Sequence, residues 1–153
     1  SGIPQVEGVL LGKLKMNWWK VIIGKFLGGV LSIGSGLSLG REGPSVQLGS
    51  VVGQGFSKVF KRIKLEEKYL ITSGASAGLA AAFNAPLAGV MFALEEVHKN
   101  FSPLVLLSSV SAALSADYVS SGFFGLKPVF DLKNLTVLPL KYYFYLIILG
   151  AFL

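Results

Sequence analysis

Residues 69–94 contain no Asp, Glu, Lys or Arg, and further uncharged stretches occupy 26–40, 43–57, 100–116 and 142–153. A straight helix crossing a bilayer core takes about 20 apolar residues. Only 69–94 has that length to spare, so the shorter stretches suit tilted, broken or re-entrant helices. Soluble domains carry about a quarter charged residues, whereas this chain has 14% charged and 52% hydrophobic residues. The expectation is an all-α membrane protein.

The net charge of +6 does not alter that reading. Lys13, Lys15 and Lys20, and the basic residues within 58–68, flank apolar stretches, where cations anchor a segment at the interface. Trp18 and Trp19 fit the same belt. No aromatic-basic ribbon accompanies the charge, so nucleic-acid binding is not indicated. With zero cysteines there are no disulfides and no thiolate metal site, and no signal-peptide pattern opens the chain. The start at Ser1 and the apolar run up to Leu153 lead us to expect that 1–153 is a single transmembrane domain fragment, truncated at both ends.

Local signals divide the chain into short helices. Pro4 suits a helix start, giving a helix over about 4–11, then a polar turn. A glycine-rich helix over 18–35 carries Gly24-x-x-x-Gly28, and a helix over 45–60 carries Gly49-x-x-x-Gly53; such spacing lets another backbone approach closely in lipid. Residues 61–68 read as a solvent-facing linker. The helix over 69–83 ends at Asn84-Ala85-Pro86, because a residue before proline avoids the helical region. A new helix runs from Pro86 to Glu95-Glu96. After the polar connection HKNFSP, a helix covers 104–118, a Gly/Pro-containing loop covers 120–139, and a last helix follows.

GREGP, residues 40–44, carries the most distinctive chemistry. The first N–H groups of a helix lack internal partners and, with the helix dipole, form an anion site. Pro44 fits the first turn, and Gly40 and Gly43 allow the chain to bend there. Glu42 is itself an anion at that place. As carboxylate it can fill the site, and as acid it can leave it to another anion. The alternative, weighed evenly on spacing alone, is that Glu42 caps the helix and pairs with Arg41. Ser1-Gly2-Ile3-Pro4 repeats the logic on a smaller scale, although a plain N-cap serine explains it too. Glu95-Glu96, at the edge of the longest uncharged stretch, is a candidate for a functional intramembrane carboxylate or a solvated flank. His98 reads as a surface residue. Gly24-Lys25 lacks the spacing of a phosphate-binding loop, one histidine offers no metal site, and no Ser/His/Asp set suggests a hydrolase.

Together, SGIP at 1–4, GREGP at 40–44 and AAAFNAPLAGVMFALEEV at 80–97 resemble the CLC family of chloride channels and chloride/proton antiporters, in particular its bacterial antiporter-like members. The resemblance implies two inverted halves of broken, tilted helices, of which this chain holds most of the first, in a multi-pass membrane protein that forms homodimers. It implies that Ser1, Gly2, Ile3, Arg41, Glu42 and Gly43 bind the anion, that Glu42 is the gating and external proton glutamate, and that Glu96 transfers protons internally. The implied function is secondary active exchange of chloride for protons, the alternative being a passive chloride channel. Neither needs a cofactor. A glycine-phenylalanine-proline loop and a tyrosine of the second half would complete the anion site outside 1–153. The HKNFSP connection would face the cell interior.

Overall fold

The computed structural model describes residues 2–37, 40–125 and 139–152. The described residues are helical, in the order α1 (Ile3–Leu10), α2 (Trp18–Gly34), α3 (Glu42–Val59), α4 (Lys64–Phe83), α5 (Pro86–Phe92), a π-helical turn (Ala93–His98), α6 (Pro103–Phe124), a 3-10 turn (Leu140–Tyr142) and α7 (Tyr143–Phe152). This is the all-α, broken-helix architecture expected from the charge pattern.

The centre is the crossing of α3 and α4. A Cβ on Gly49 would collide with the carbonyl of Gly74, and one on Gly74 with the carbonyl of Gly49. Gly53 stands in the same relation to Leu70, and Gly78 to Ser45. The two backbones therefore touch with no side chain between them, which is what four-residue glycine spacing permits. Gly49-x-x-x-Gly53 meets its partner stripe, Gly74-x-x-x-Gly78, here. Gly24-x-x-x-Gly28 behaves otherwise: among the described residues, nothing lies within 4 Å of a Cβ on either glycine. The α2 helix instead touches α3 through Trp18, whose ring lies over Gly55, and it has no buried residue.

Around this crossing Val6, Leu10, Val46, Ile71, Ala75, Leu79, Ala93 and Val97 form one apolar cluster, joining α1, α3, α4 and the π-helical turn. A second cluster, including Ala80, Val90, Val105 and Ala113, joins α4, α5 and α6. The core is not wholly apolar. Gln47, Ser50, Gln54 and Ser57 are buried at spacings of three and four along one stripe of α3. Gln47 donates to Gln5 of α1 at 2.6 Å, and Gln54 donates to Glu67 at 3.4 Å.

The boundaries of α3, α4 and α6 differ from the sequence expectation. The α3 helix begins at Glu42 rather than residue 45, so Glu42 is itself helical. The expected linker over 61–68 is half helix, because α4 begins at Lys64. Glu66 and Glu67 in its first turn favour the positive end of the dipole, and Glu67 pairs with Lys58 at 3.0 Å. The α6 helix continues to Phe124, through Ser120-Ser121-Gly122. Ser120 donates its hydroxyl to the Ala81 carbonyl at 3.2 Å, tying the extra turn to α4. Among the described residues, α6 is the one helix long and apolar enough by itself to cross a bilayer. The break between α4 and α5 falls at the expected place: Asn84 caps α4 in the left-handed region, with φ 51°, a conformation asparagine tolerates better than most residues.

Replacing Gly49 or Gly74 by alanine in the full-length protein should lower its thermal midpoint in detergent, at a cost of about 1–3 kcal/mol for overpacking. A wild-type midpoint in both variants would rule out the backbone contact.

Candidate anion and proton site

The starts of α1 and α3 converge. Gly2 precedes α1 with φ 98° and ψ −135°, a backbone state essentially reserved for glycine. It is buried, and a Cβ placed on it would lie 3.7 Å from Gly43 Cα. Gly43 itself has no positive φ among the described residues. Among the described residues a Cβ on Gly43 would meet nothing within 4 Å, so neither packing nor the bend that the sequence suggested requires glycine there. One turn further on, the Gln5–Gln47 hydrogen bond ties the two helices together.

This convergence gathers unpaired N–H groups. Pro4 and Pro44 have no N–H to offer. Gln5 and Val6 donate to the Gly2 carbonyl at 3.1 and 3.3 Å, and Ser45 donates to the Arg41 carbonyl at 3.1 Å. Among the described residues, the N–H groups of Ile3, Glu42 and Gly43 remain without an acceptor. Aligned donors at two helix starts favour an anion without a formal cation. The expected contribution of Ser1 lies outside the described residues.

Arg41 and Glu42 turn out not to be partners. The Arg41 guanidinium sits over the Phe83 ring, 4.6 Å from its centroid, a contact worth about 0.5–1 kcal/mol at an exposed site. Among the described residues Glu42 makes no ion pair, and no side chain caps α3. The carboxylate is exposed beside a mainly apolar cleft of about 310 Å³, lined by Glu42, Leu79, Phe83, Ala85, Ala88, Gly89 and Phe92. Among the described residues the Glu42 carboxylate thus faces the cleft without an ion-pair partner, and Arg41 is held by an aromatic ring.

Glu96 lies elsewhere. The start of α5 borders the Glu42 cleft, and Glu96 sits eleven residues beyond Ala85, in the π-helical turn. At the helical rise that is roughly 16 Å along the axis. Both Glu95 and Glu96 are exposed. The expected continuous α-helix from Pro86 to Glu95-Glu96 is corrected: α-helical bonding ends at Phe92. The Lys99 N–H reaches back five residues to the Leu94 carbonyl at 3.0 Å.

His98 is not the plain surface residue expected. It is half-buried, and its Nδ1 lies 2.9 Å from the hydroxyl of Thr72, which is fully buried on α4. The neighbouring Lys99 pairs with Glu7 of α1 at 3.0 Å. Nothing in the spacing of Thr72 and His98 could have announced their contact, since 26 residues and a helix break separate them.

With this geometry in view, comparison with known proteins decides the family. A family model described as voltage gated chloride channel matches residues 1–153. The chain belongs to this family, the CLC family. A CLC relative from Vibrio cholerae serotype O1, named H(+)/Cl(-) exchange transporter ClcA, is 48% identical over 118 residues, covering 76% of this chain and 25% of the relative. One of the same name from Cronobacter sakazakii is 40% identical over 153 residues, covering 98% of this chain and 33% of the relative. The chain thus spans a third or less of the length of these relatives. The crystal structure of a slow cyanobacterial Cl-/H+ antiporter matches 98% of this chain and 36% of its own, with a TM-score of 0.86 and 41% identity. The broken helices described above are therefore part of a CLC fold.

Burial, and secondarily the positive charge of Lys68, hold the His98 imidazole below its ordinary pKa of 6.5. His98 is the last residue of the π-helical turn and the first of the polar connection HKNFSP, outside the uncharged stretches. An unfolded chain takes up this proton near 6.5, whereas the fold resists it. The stabilising contribution is therefore complete above 6.5 and is lost as pH falls through the lowered value. In nitrogen-15 histidine spectra of the full-length protein, the His98 signal should titrate below 6.5, and Lys68→Gln should move it part of the way back.

Proposed function

We propose that the intact protein exchanges chloride for protons across a membrane, with Glu42 as both gate and proton carrier. The observation that carries this reading is the convergence of the α1 and α3 starts. The N–H groups of Ile3, Glu42 and Gly43 are without acceptors among the described residues, and the Glu42 carboxylate belongs to the same helix start. Chloride and that carboxylate compete for one set of donors. Ionised Glu42 occupies it, and protonated Glu42 swings out and admits chloride. Backbone donors hold the ion without a full positive charge, so it can also leave.

Ser1 adds its hydroxyl to this site, Gly2 supplies the close approach to Gly43, and Arg41, held by Phe83, adds positive potential beside it. Glu96, at the far end of α5, passes protons between Glu42 and the solution on its own side. Glu96 stands beyond α5 from the Glu42 cleft, so chloride and protons share the Glu42 end and part company beyond it. The exchange names of the relatives and of the structural neighbour support the coupling. The whole chain is a multi-pass protein of a cell membrane, the inner one in a bacterium, and a homodimer, with lipid or further protein over the apolar faces of α2 and α6. No cofactor takes part, and the activity is transport rather than enzymatic turnover.

With the full-length protein in lipid vesicles, an imposed chloride gradient should drive proton uptake. Chloride movement without protons would instead favour a passive channel, the word the family description uses. Glu42→Ala should reduce proton movement to background while chloride still passes, and Glu96→Gln should do likewise. If Glu42→Ala still drives protons, Glu42 is not the carrier.

A further inference from the structure

The turn that carries Glu95 and Glu96 is π-helical. Such a turn holds one more residue than an α-helical turn and is rare on its own account. Converting it to α-helical bonding would rotate the residues it carries by about 100°. The direction in which Glu96 points therefore depends on what keeps the turn in its wider form.

Two contacts hold its end. The Lys99–Glu7 ion pair is 3.0 Å long, with side chains 60% and 24% exposed, and pairs of that kind contribute little. The other contact is better protected. Thr72 has no solvent exposure, and its hydroxyl donates to the Lys68 carbonyl of its own helix at 3.0 Å. A hydroxyl carries one hydrogen, so with that hydrogen on Lys68 the oxygen is left to accept, and His98 donates to it from Nδ1 at 2.9 Å. The Tyr69 ring flanks the imidazole, 6.1 Å away between centroids. Beneath lies a cleft of about 280 Å³ whose lining includes Glu7, Lys68, Tyr69, His98 and Lys99. Breaking this bond would leave the buried Thr72 oxygen without its second partner.

We propose that His98 is a positioning residue for the proton relay: its hydrogen bond to Thr72 latches the π-helical turn to α4 and so sets the direction of Glu96. This rests on the reading of Glu96 as the internal proton-transfer group. His98 does not itself carry the proton. Chloride binding, at the other end of α5, does not depend on the latch.

The test compares proton and chloride fluxes of the full-length protein in vesicles. His98→Leu and Thr72→Val remove the bond. Asparagine places an N–H donor at the same remove from the backbone as Nδ1, so His98→Asn keeps the bond, as Thr72→Ser keeps the hydroxyl. Losing one hydrogen bond should lower the ratio of proton to chloride flux about fivefold in the first pair. Chloride flux should stay near wild type, and the second pair should retain most of the wild-type ratio. A wild-type ratio in His98→Leu and Thr72→Val, a proportional loss of both fluxes, or an equal loss of ratio in all four variants would overturn the latch. If wild-type protein moves chloride with no protons at all, the exchange reading falls and the latch falls with it.

Discussion

The contact of the α3 backbone with the α4 backbone is the constraint from which the rest follows. Helices that pack through side chains stand about 8–10 Å apart. Where Gly49 meets Gly74 there is no room for a Cβ on either side. The approach brings the carbonyls and Cα hydrogens of the two helices against one another, and dispersion over such a flush contact supplies association where lipid offers no hydrophobic gain. It also fixes the register of α4 on α3, since Gly53, Gly74 and Gly78 each fit at one place only.

That register determines what lies at each end of the crossing. At the α3 start, the end of α4 brings Phe83 under Arg41 and sends the chain through Asn84 into α5, so that the start of α5 forms a wall beside Glu42. At the other end, Thr72 stands opposite His98, and Glu67 reaches Lys58. The short α1 bridges the two ends, with Gly2 against Gly43 and Glu7 paired with Lys99. Each of these residues is ordinary by itself. The crossing turns them into two chemically distinct ends, one with N–H donors that lack acceptors among the described residues and one with the Thr72–His98 contact and the Glu95-Glu96 pair.

Helix breaks are what allow polar groups to be placed within an apolar protein. A continuous helix satisfies its own backbone and offers an ion nothing. A start such as Ile3 or Glu42 exposes donors, and a π-helical turn such as 93–98 changes the direction of its side chains without ending the helix. Such breaks persist in a membrane where protein or an aqueous cavity takes up the freed groups. Here Gly2, the Gln5–Gln47 bond, Asn84, and the His98–Thr72 bond are the local supports.

The amino-acid sequence by itself determined the helical class and the positions of the breaks at Pro4, GREGP and Asn84-Ala85-Pro86, and it put Glu42 and Glu96 forward as candidates. Proline geometry, uncharged length and residue order are local properties. The Gly49-x-x-x-Gly53 stripe was legible too, and its counterpart on α4 has the same spacing. Only the tertiary structure decided that these two stripes meet while Gly24 and Gly28 meet nothing among the described residues. Glycine spacing says that a backbone can come close and not which one does. In the same way, Arg41 adjoins Glu42 in sequence, yet the approach of α4 offers it an aromatic face. The helical start at Lys64, the extension of α6 and the π-helical turn depend on partners in other helices, such as Lys58, Ala81 and Thr72. Those partners are distant in sequence, and the energies that select them arise only once the chain is packed.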